Sequence, residues 1–350
     1  MSIKENIKNL QFNQKFIGED IINNEINDAR SKIKYILENS NGVSDCYLSF
    51  YAVAKNIRFV SSYFFQNIKH GKKSIISNNC RPGEDFFWSN ITKSSWYPWL
   101  WGRYLNKPTN ESSWNTLFNN IDRDFYSISS ENKSVDDFYL YLACLDHTFS
   151  INENQKNYLS SLYGEIELPN KPIIGLQIRR GEIVKSNGDV NESWNANAGV
   201  SNGARPIYQI DDYMVGVQKI AEYLNTNYVF VSTDSLETIQ YLVENYKDYV
   251  FLHHNYDRTK FVRYNGNPAE VALEFDIVKN ESLTQHYTES CIMDLDMLSK
   301  CDGYVGGMKH SEYGLCGWLL QMVKKEKVTP YYNVEGDFNL SGGDLNLLLL

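Results

Sequence analysis

The sequence has no run of about 18 apolar residues that could cross a bilayer. Met1 to Glu19 also lacks the continuous apolar stretch of a secretory signal. Neither a membrane-spanning nor an exported chain is expected. Asn-x-Ser/Thr triplets such as Asn90-Ile91-Thr92 therefore read as chance matches in an Asn-rich chain. No Cys-x-x-Cys pair and no Cys/His cluster at zinc spacing occurs among the six cysteines, Cys46, Cys80, Cys144, Cys291, Cys301 and Cys316. They are expected to be buried thiols of a cytoplasmic protein. An excess of positive charge is missing too. The formal net charge is -9, which argues against a broad nucleic-acid footprint and leaves room only for a local basic pocket. No internal repeat is visible, and no Gly-Lys-Ser/Thr opens a helix as a P-loop would.

What is present fits a soluble chain of two domains. Its 350 residues exceed what one small core accommodates. The character of the sequence changes after Glu167-Leu168-Pro169-Asn170-Lys171-Pro172, where two prolines bracket a turn. A boundary there gives an N-terminal domain of residues 1-170 and a C-terminal domain of residues 171-350. In the first, residues 1 to 40 look helical, with Ile21, Ile22, Ile26, Ala29 and Ile33 at helical spacing. A second helical face runs through Ala52, Ile57, Val60, Phe64 and Phe65, within an apolar stretch from Cys46 to Ile68. Ser77 to Gly83 is rich in turn formers, and Asp136 to Phe149 reads as a helix. The aromatic stretch Phe86 to Trp101 is either core or a stacking platform for a sugar.

Beyond Pro172, short apolar runs alternate with amphipathic helices. Ile173 to Ile178, Tyr228 to Val231, Tyr249 to Leu252 and Gly303 to Gly306 read as strands. Asp211 to Leu224, Ser235 to Asn245, Ser290 to Lys300 and a segment through Trp318 read as helices. Asp234, with Glu237 three residues on, is the expected cap of the second of these. The alternation predicts an α/β fold with a parallel sheet covered on both faces.

In such a sheet, ligands gather at the carboxyl ends of the strands. Three strand ends here carry chemistry. The first is Arg179-Arg180-Gly181-Glu182, where adjacent arginines point to opposite sides of the strand and one can meet an anion with its planar fork. The second is Ser232-Thr233-Asp234, whose carboxylate either caps a helix or accepts from a ribose or base. The third is Gly306-Gly307-Met308-Lys309-His310-Ser311, where backbone amides could approach phosphate oxygens. Asp294 and Asp296 have Asp-x-Asp spacing, but a helix would turn them in different directions, away from a shared metal.

The stretches Arg179 to Glu182, Val231 to Asp234 and Ile292 to Asp302 resemble, in order, the three motifs of the α1,6-fucosyltransferase superfamily. That superfamily groups core-fucosylating and nodulation enzymes with α1,2 and protein O-fucosyl relatives. Ile210 to Met214 and Tyr287 to Glu289 are similar to flanking stretches, so the resemblance spans Ile173 to Gln321. It implies a two-lobed GT-B-like fold with a Rossmann-like donor lobe. It also implies inverting, metal-independent transfer of fucose from GDP-fucose to a glycan acceptor. Arg179 and Arg180 would hold the diphosphate, with Thr233 and Asp234 on the guanosine side. Asp294 would support the site, and Gly306, Gly307, His310 and Ser311 would contact phosphates. Glu182 stands where relatives have Asp. Asp189 and Glu192, on the loop after the first motif, are the local candidates for the catalytic base. Gln177 stands where many relatives have His, and Ile183 where core-fucosylating enzymes have a cation. Transfer from another nucleotide sugar, or binding without turnover, remain alternatives.

Overall fold

The computed structural model describes residues 11–48, 53–80, 135–151, 153–179, 208–261, 281–309 and 311–339. In chain order these form short strands β1 (Gln11–Phe12), β2 (Lys15–Phe16) and β3 (Asp20–Ile21), then α1 (Asn23–Asn39), β4 (Val43–Leu48), α2 (Val53–Lys69) and β5 (Lys73–Cys80). Helices α3 (Val135–Thr148) and α4 (Glu153–Tyr163) lead to β6 (Ile173–Ile178), α5 (Ile210–Leu224), β7 (Tyr228–Thr233), α6 (Leu236–Asn245) and β8 (Val250–Leu252). After a 3-10 turn at Arg258–Phe261 come α7 (Glu281–Lys300), β9 (Gly303–Gly306), α8 (Glu312–Lys325), β10 (Lys327–Val328), β11 (Tyr331–Asn333) and β12 (Phe338–Asn339). The chain divides into two compact units. One holds Met1–Phe12, Ile21–Lys156 and Asn339–Leu350; the other holds Asn13–Asp20 and Asn157–Phe338.

In the first unit, β4 and β5 pair in parallel, with Val43 opposite Lys73 and Cys46 opposite Ile76, and α2 is their crossover. Helix α2 buries Ala54, Ile57, Val60, Phe64, Phe65 and Ile68 on one face. It packs on α3 through Phe65 edge-on to Tyr141 at 6.2 Å and Phe64 stacked on His147 at 5.0 Å. Helix α1 buries Ile26, Ala29 and Ile33. Ile21 was expected on that face, but the helix begins two residues later and Ile21 is exposed. Cys46 proves to lie on a strand, and Ser77 to Cys80, expected as a loop, complete β5. The β4–β5 register is irregular over this stretch, and pairing resumes with Leu48 opposite Cys80.

The second unit is a six-stranded sheet of order β2-β11-β9-β6-β7-β8. All neighbours are parallel except β2, which lies antiparallel to β11 at one edge. Strand β6 is buried along its whole length, as its apolar run, interrupted only by Gln177, leads one to expect. Ile174, Leu176 and Ile178 face α5 and α6 in one core with Val217, Ile220, Ile239 and Leu242. Gly175 and Gln177 take the other face, where a Cβ at Gly175 would lie 2.9 Å from the Leu298 side chain of α7. Helices therefore cover both faces, and the mixed α/β architecture read from the sequence is present. Trp318 of α8 is fully buried, edge-on to Tyr331 at 5.1 Å and to Phe338 at 5.5 Å. From β6 the chain builds outward to β7 and β8 on one side and to β9 and β11 on the other. The sheet thus reverses its winding between β6 and β9, the place where doubly wound sheets open a crevice.

Ser311 caps α8 by accepting from the Gly314 amide at 3.0 Å. The first turn then presses so closely on the loop after β9 that a Cβ at Gly314 would lie 1.9 Å from the Gly307 carbonyl oxygen. Only glycine fits without moving backbone. Gly314→Ala is expected to lower stability by about 3 kcal/mol, read as a drop in the urea midpoint. An unchanged midpoint would show that the loop yields freely.

Candidate functional site

At the carboxyl edge of the sheet, one pocket of about 60 Å³ is lined by Gln177, Ile178 and Arg179 after β6, and by Ser232, Thr233 and Asp234 after β7. Tyr256 from the segment after β8, Tyr287, Ser290, Cys291 and Asp294 of α7, and Tyr313 of α8 complete it. The register explains the first two groups. Gln177 pairs with Ser232 and Ile178 with Thr233, so the residues that follow emerge side by side.

Asp294 is 2% exposed. A carboxylate buried this deeply must be hydrogen-bonded. Its Oδ1 lies 2.8 Å from His254 Nδ1, and its Oδ2 receives the Tyr256 hydroxyl at 2.9 Å. That hydroxyl is also 3.0 Å from the Thr233 carbonyl oxygen. Burial first, and then the Asp294 charge, push the Tyr256 phenol well above its usual range, so it stays a protonated donor. Arg258 stacks on the Tyr256 ring, 3.9 Å from its centroid. Its Nε donates to the Thr233 carbonyl at 2.9 Å and one terminal nitrogen donates to the His254 carbonyl at 2.9 Å. The end of β7 is thereby tied to α7 through a strap of residues 254 to 258. Tyr313 closes the opposite wall, donating to the Cys291 carbonyl at 3.2 Å and receiving Ser232 Oγ at 3.4 Å. Burial, then Asp294, also raise its phenol well above the usual range.

Arg179, Thr233, Asp234 and Asp294 of the expected donor-binding set thus line one pocket. Asp234 is not the cap of α6: Ser235 Oγ accepts from the Thr238 amide at 3.1 Å. The position immediately before the helix is the one whose side chain reaches the third amide, and Ser235 holds it. The Asp294–Asp296 pair diverges as expected. Asp296 turns outward to Lys300 at 2.6 Å while Asp294 turns inward.

The loop after β9 lies differently. The Met308 amide donates to Asn333 Oδ1 at 3.0 Å and the Lys309 amide to Glu335 Oε2 at 2.5 Å. A Cβ on Gly307 would meet Glu335 Oε1 at 2.8 Å. Gly306 is buried in β9, where a Cβ would meet the Tyr304 hydroxyl at 2.8 Å. None of these residues lines the pocket. Ser311 is committed as the α8 cap. Arg180, Glu182, Asp189, Glu192 and His310 lie outside the described residues, as do the aromatic stretch 86–101 and the tail 345–350.

Sequence reading missed the strap, His254, Tyr256 and Arg258, and the walls Tyr287, Cys291 and Tyr313. The available signal was position: the strap follows the next strand end in the same sheet. A second buried cluster flanks the strap on α7. Glu289 accepts from the Tyr163 hydroxyl at 2.5 Å and from Gln285 at 2.8 Å. His286 Nε2 lies 3.0 Å from the Asp257 carbonyl oxygen. Cys144, Cys291, Cys301 and Cys316 are buried free thiols, as expected. Among the described residues no group of three or more His, Cys, Asp or Glu is placed to hold a metal ion. No helix among them is long and apolar enough to cross a membrane.

No model of a known protein family matches the chain, and no curated protein matches it. Among solved structures it is similar to fucosyltransferase NodZ from Bradyrhizobium, at 11% identity and TM-score 0.42, over 79% of this chain and 91% of that one. It is likewise similar to NodZ α-1,6-fucosyltransferase co-crystallised with GDP, at 12% identity and TM-score 0.41 over the same shares. A likeness at that level assigns no role to any residue of this chain.

Tyr256→Phe removes one of two donors to a buried charge. It is expected to cost about 1–3 kcal/mol, read as a lower urea midpoint; an unchanged midpoint would show that the hydroxyl is dispensable. Burial also lowers the pKa of His253 and His286 below the ordinary 6.5. A histidine held neutral in the fold takes up its proton on unfolding, so stability is full above 6.5 and declines as pH falls through that value. Urea midpoints measured from pH 7.5 to 5.5 should fall, and less so in His286→Gln. A flat profile in the parent chain would contradict this.

Proposed function

We propose that the chain is an inverting, metal-independent fucosyltransferase that moves fucose from GDP-fucose to a hydroxyl of a glycan acceptor. The observation that carries the reading is convergence. The three stretches that resemble fucosyltransferase motifs are spread along the chain from Arg179 to Asp302, yet Arg179, Thr233, Asp234 and Asp294 line a single pocket. That pocket sits at the carboxyl edge of a doubly wound sheet, where nucleotides are bound in many such folds.

In this reading Asp234, released from capping by Ser235, accepts from the nucleoside. Asp294 acts through the strap and holds the end of β7 in place. An acceptor hydroxyl loses its proton to a carboxylate, for which Asp189 and Glu192 are the candidates. The oxygen attacks the anomeric carbon from the face opposite the diphosphate, the carbon–oxygen bond to the diphosphate breaks, and GDP departs. Arg180 supplies fixed positive charge to the leaving group, with Arg179 on the pocket side. The N-terminal domain selects the acceptor.

Calorimetric titration in EDTA with GDP-fucose, GDP-mannose and UDP-glucose tests this. GDP-fucose should bind most tightly, and Arg180→Ala should weaken it by roughly 10-fold or more, the scale of a lost charged hydrogen bond. Preference for the uridine nucleotide, or a requirement for a divalent ion, would overturn the assignment.

A further inference from the structure

Two fully buried carboxamides of the sheet unit show how such groups are satisfied within the fold. Gln321, fully buried, donates to the Gly303 carbonyl at 3.0 Å and accepts from Thr329 at 2.7 Å. Asn333, also fully buried, accepts from the Met308 amide at 3.0 Å and donates to the Gly336 carbonyl at 2.7 Å. Gln177 is 4% exposed, and its side chain has no hydrogen-bond partner among the described residues. Gln321 and Asn333 are thus satisfied by neighbouring protein groups, whereas Gln177 is not satisfied by any described residue.

Three features of its position say what the amide is for. It lines the pocket on β6, beside β9, where the winding of the sheet reverses. It lies against the first turn of α8, with Oε1 3.0 Å from where a Cβ on Gly314 would be. The start of that 14-residue helix favours negative charge, and the Tyr313 amide there has no acceptor among the described residues. Gln177 and Arg179 are two apart on one extended segment, so they point to the same side. In the loop after β9, the Met308 and Lys309 amides already donate to Asn333 and Glu335. The carboxylates of the pocket are separately engaged or placed: Asp294 by His254 and Tyr256, Asp234 at the end of β7.

We infer that Gln177 is a ligand-binding residue whose carboxamide N–H donates to a phosphoryl oxygen held at the first turn of α8 beside Arg179. The ligand's identity as a nucleoside diphosphate rests on the function proposed above; the anion site does not. Phosphate recognition passes from the loop after β9 to this amide and the helix start. Because the amide is uncharged, its contribution does not titrate between pH 5 and 9.

The test pairs stability with binding in Gln177→Met, which keeps length and removes both polar atoms. An amide with no partner among the described residues gives little to the fold, so the Tm should stay level or rise by roughly 2–4 °C. Affinity for inorganic pyrophosphate and for GDP should fall roughly 10-fold, with ligand-observed binding of guanosine unchanged. Gln177→Glu, which brings a negative charge to the same place, should weaken pyrophosphate and GDP further. A lower Tm in Gln177→Met would reveal a structural partner and overturn the inference. So would unchanged affinity, equal losses for guanosine and GDP, or no pyrophosphate binding by the parent chain. Pyrophosphate binding that depends on Gln177 without any nucleotide binding would sink the fucosyltransferase reading and leave the anion site standing.

Discussion

Removing a carboxylate from water costs several kcal/mol unless donors surround it, and the sheet unit is arranged around one such group. Asp294 takes its hydrogen bonds from His254 and Tyr256, both on a strap that no regular element supports. The strap holds its shape because Arg258 donates to the carbonyls of Thr233 and His254 and stacks on Tyr256. The same contacts fix the end of β7. The position of Asp234 at the pocket edge therefore depends on a buried charge one helix away. Helix α7 carries a second buried carboxylate, Glu289, satisfied by Tyr163 and Gln285, so the polar side of this helix is internal.

That inversion explains which parts of the fold were legible. Strand β6 and helix α5 follow apolar periodicity, and their cores match the sequence reading within a residue. Helix α7 was expected from Ser290 but starts at Glu281. Its early turns bury the polar residues His286, Thr288 and Glu289, with Glu289 held by Tyr163 and Gln285 and His286 beside the Asp257 carbonyl, and apolar periodicity gives no sign of them. The strap has no periodicity at all. At the start of α6, two adjacent residues could cap, and only backbone geometry distinguishes Ser235 from Asp234.

The site shows a similar division. Strand-end position pointed to Arg179, Thr233 and Asp234, and the family resemblance added Asp294 from a helix; all four line one pocket. Residue type was not enough for the glycine loop. Gly306 and Gly307 are small because Tyr304 and Glu335 press against them, a packing reason that looks the same in sequence as a phosphate cradle. Gln177 drew notice only as a departure from the family's histidine; its lack of a partner among the described residues is a three-dimensional fact.

The central claim is that separate stretches of the chain form one nucleotide site at the carboxyl edge of the sheet. Hydrogen–deuterium exchange with and without saturating GDP tests it directly. Slower exchange confined to peptides covering 176–180, 231–236, 253–258 and 311–316 is the predicted result. Protection elsewhere with none at these strand ends, or no change anywhere, would contradict it.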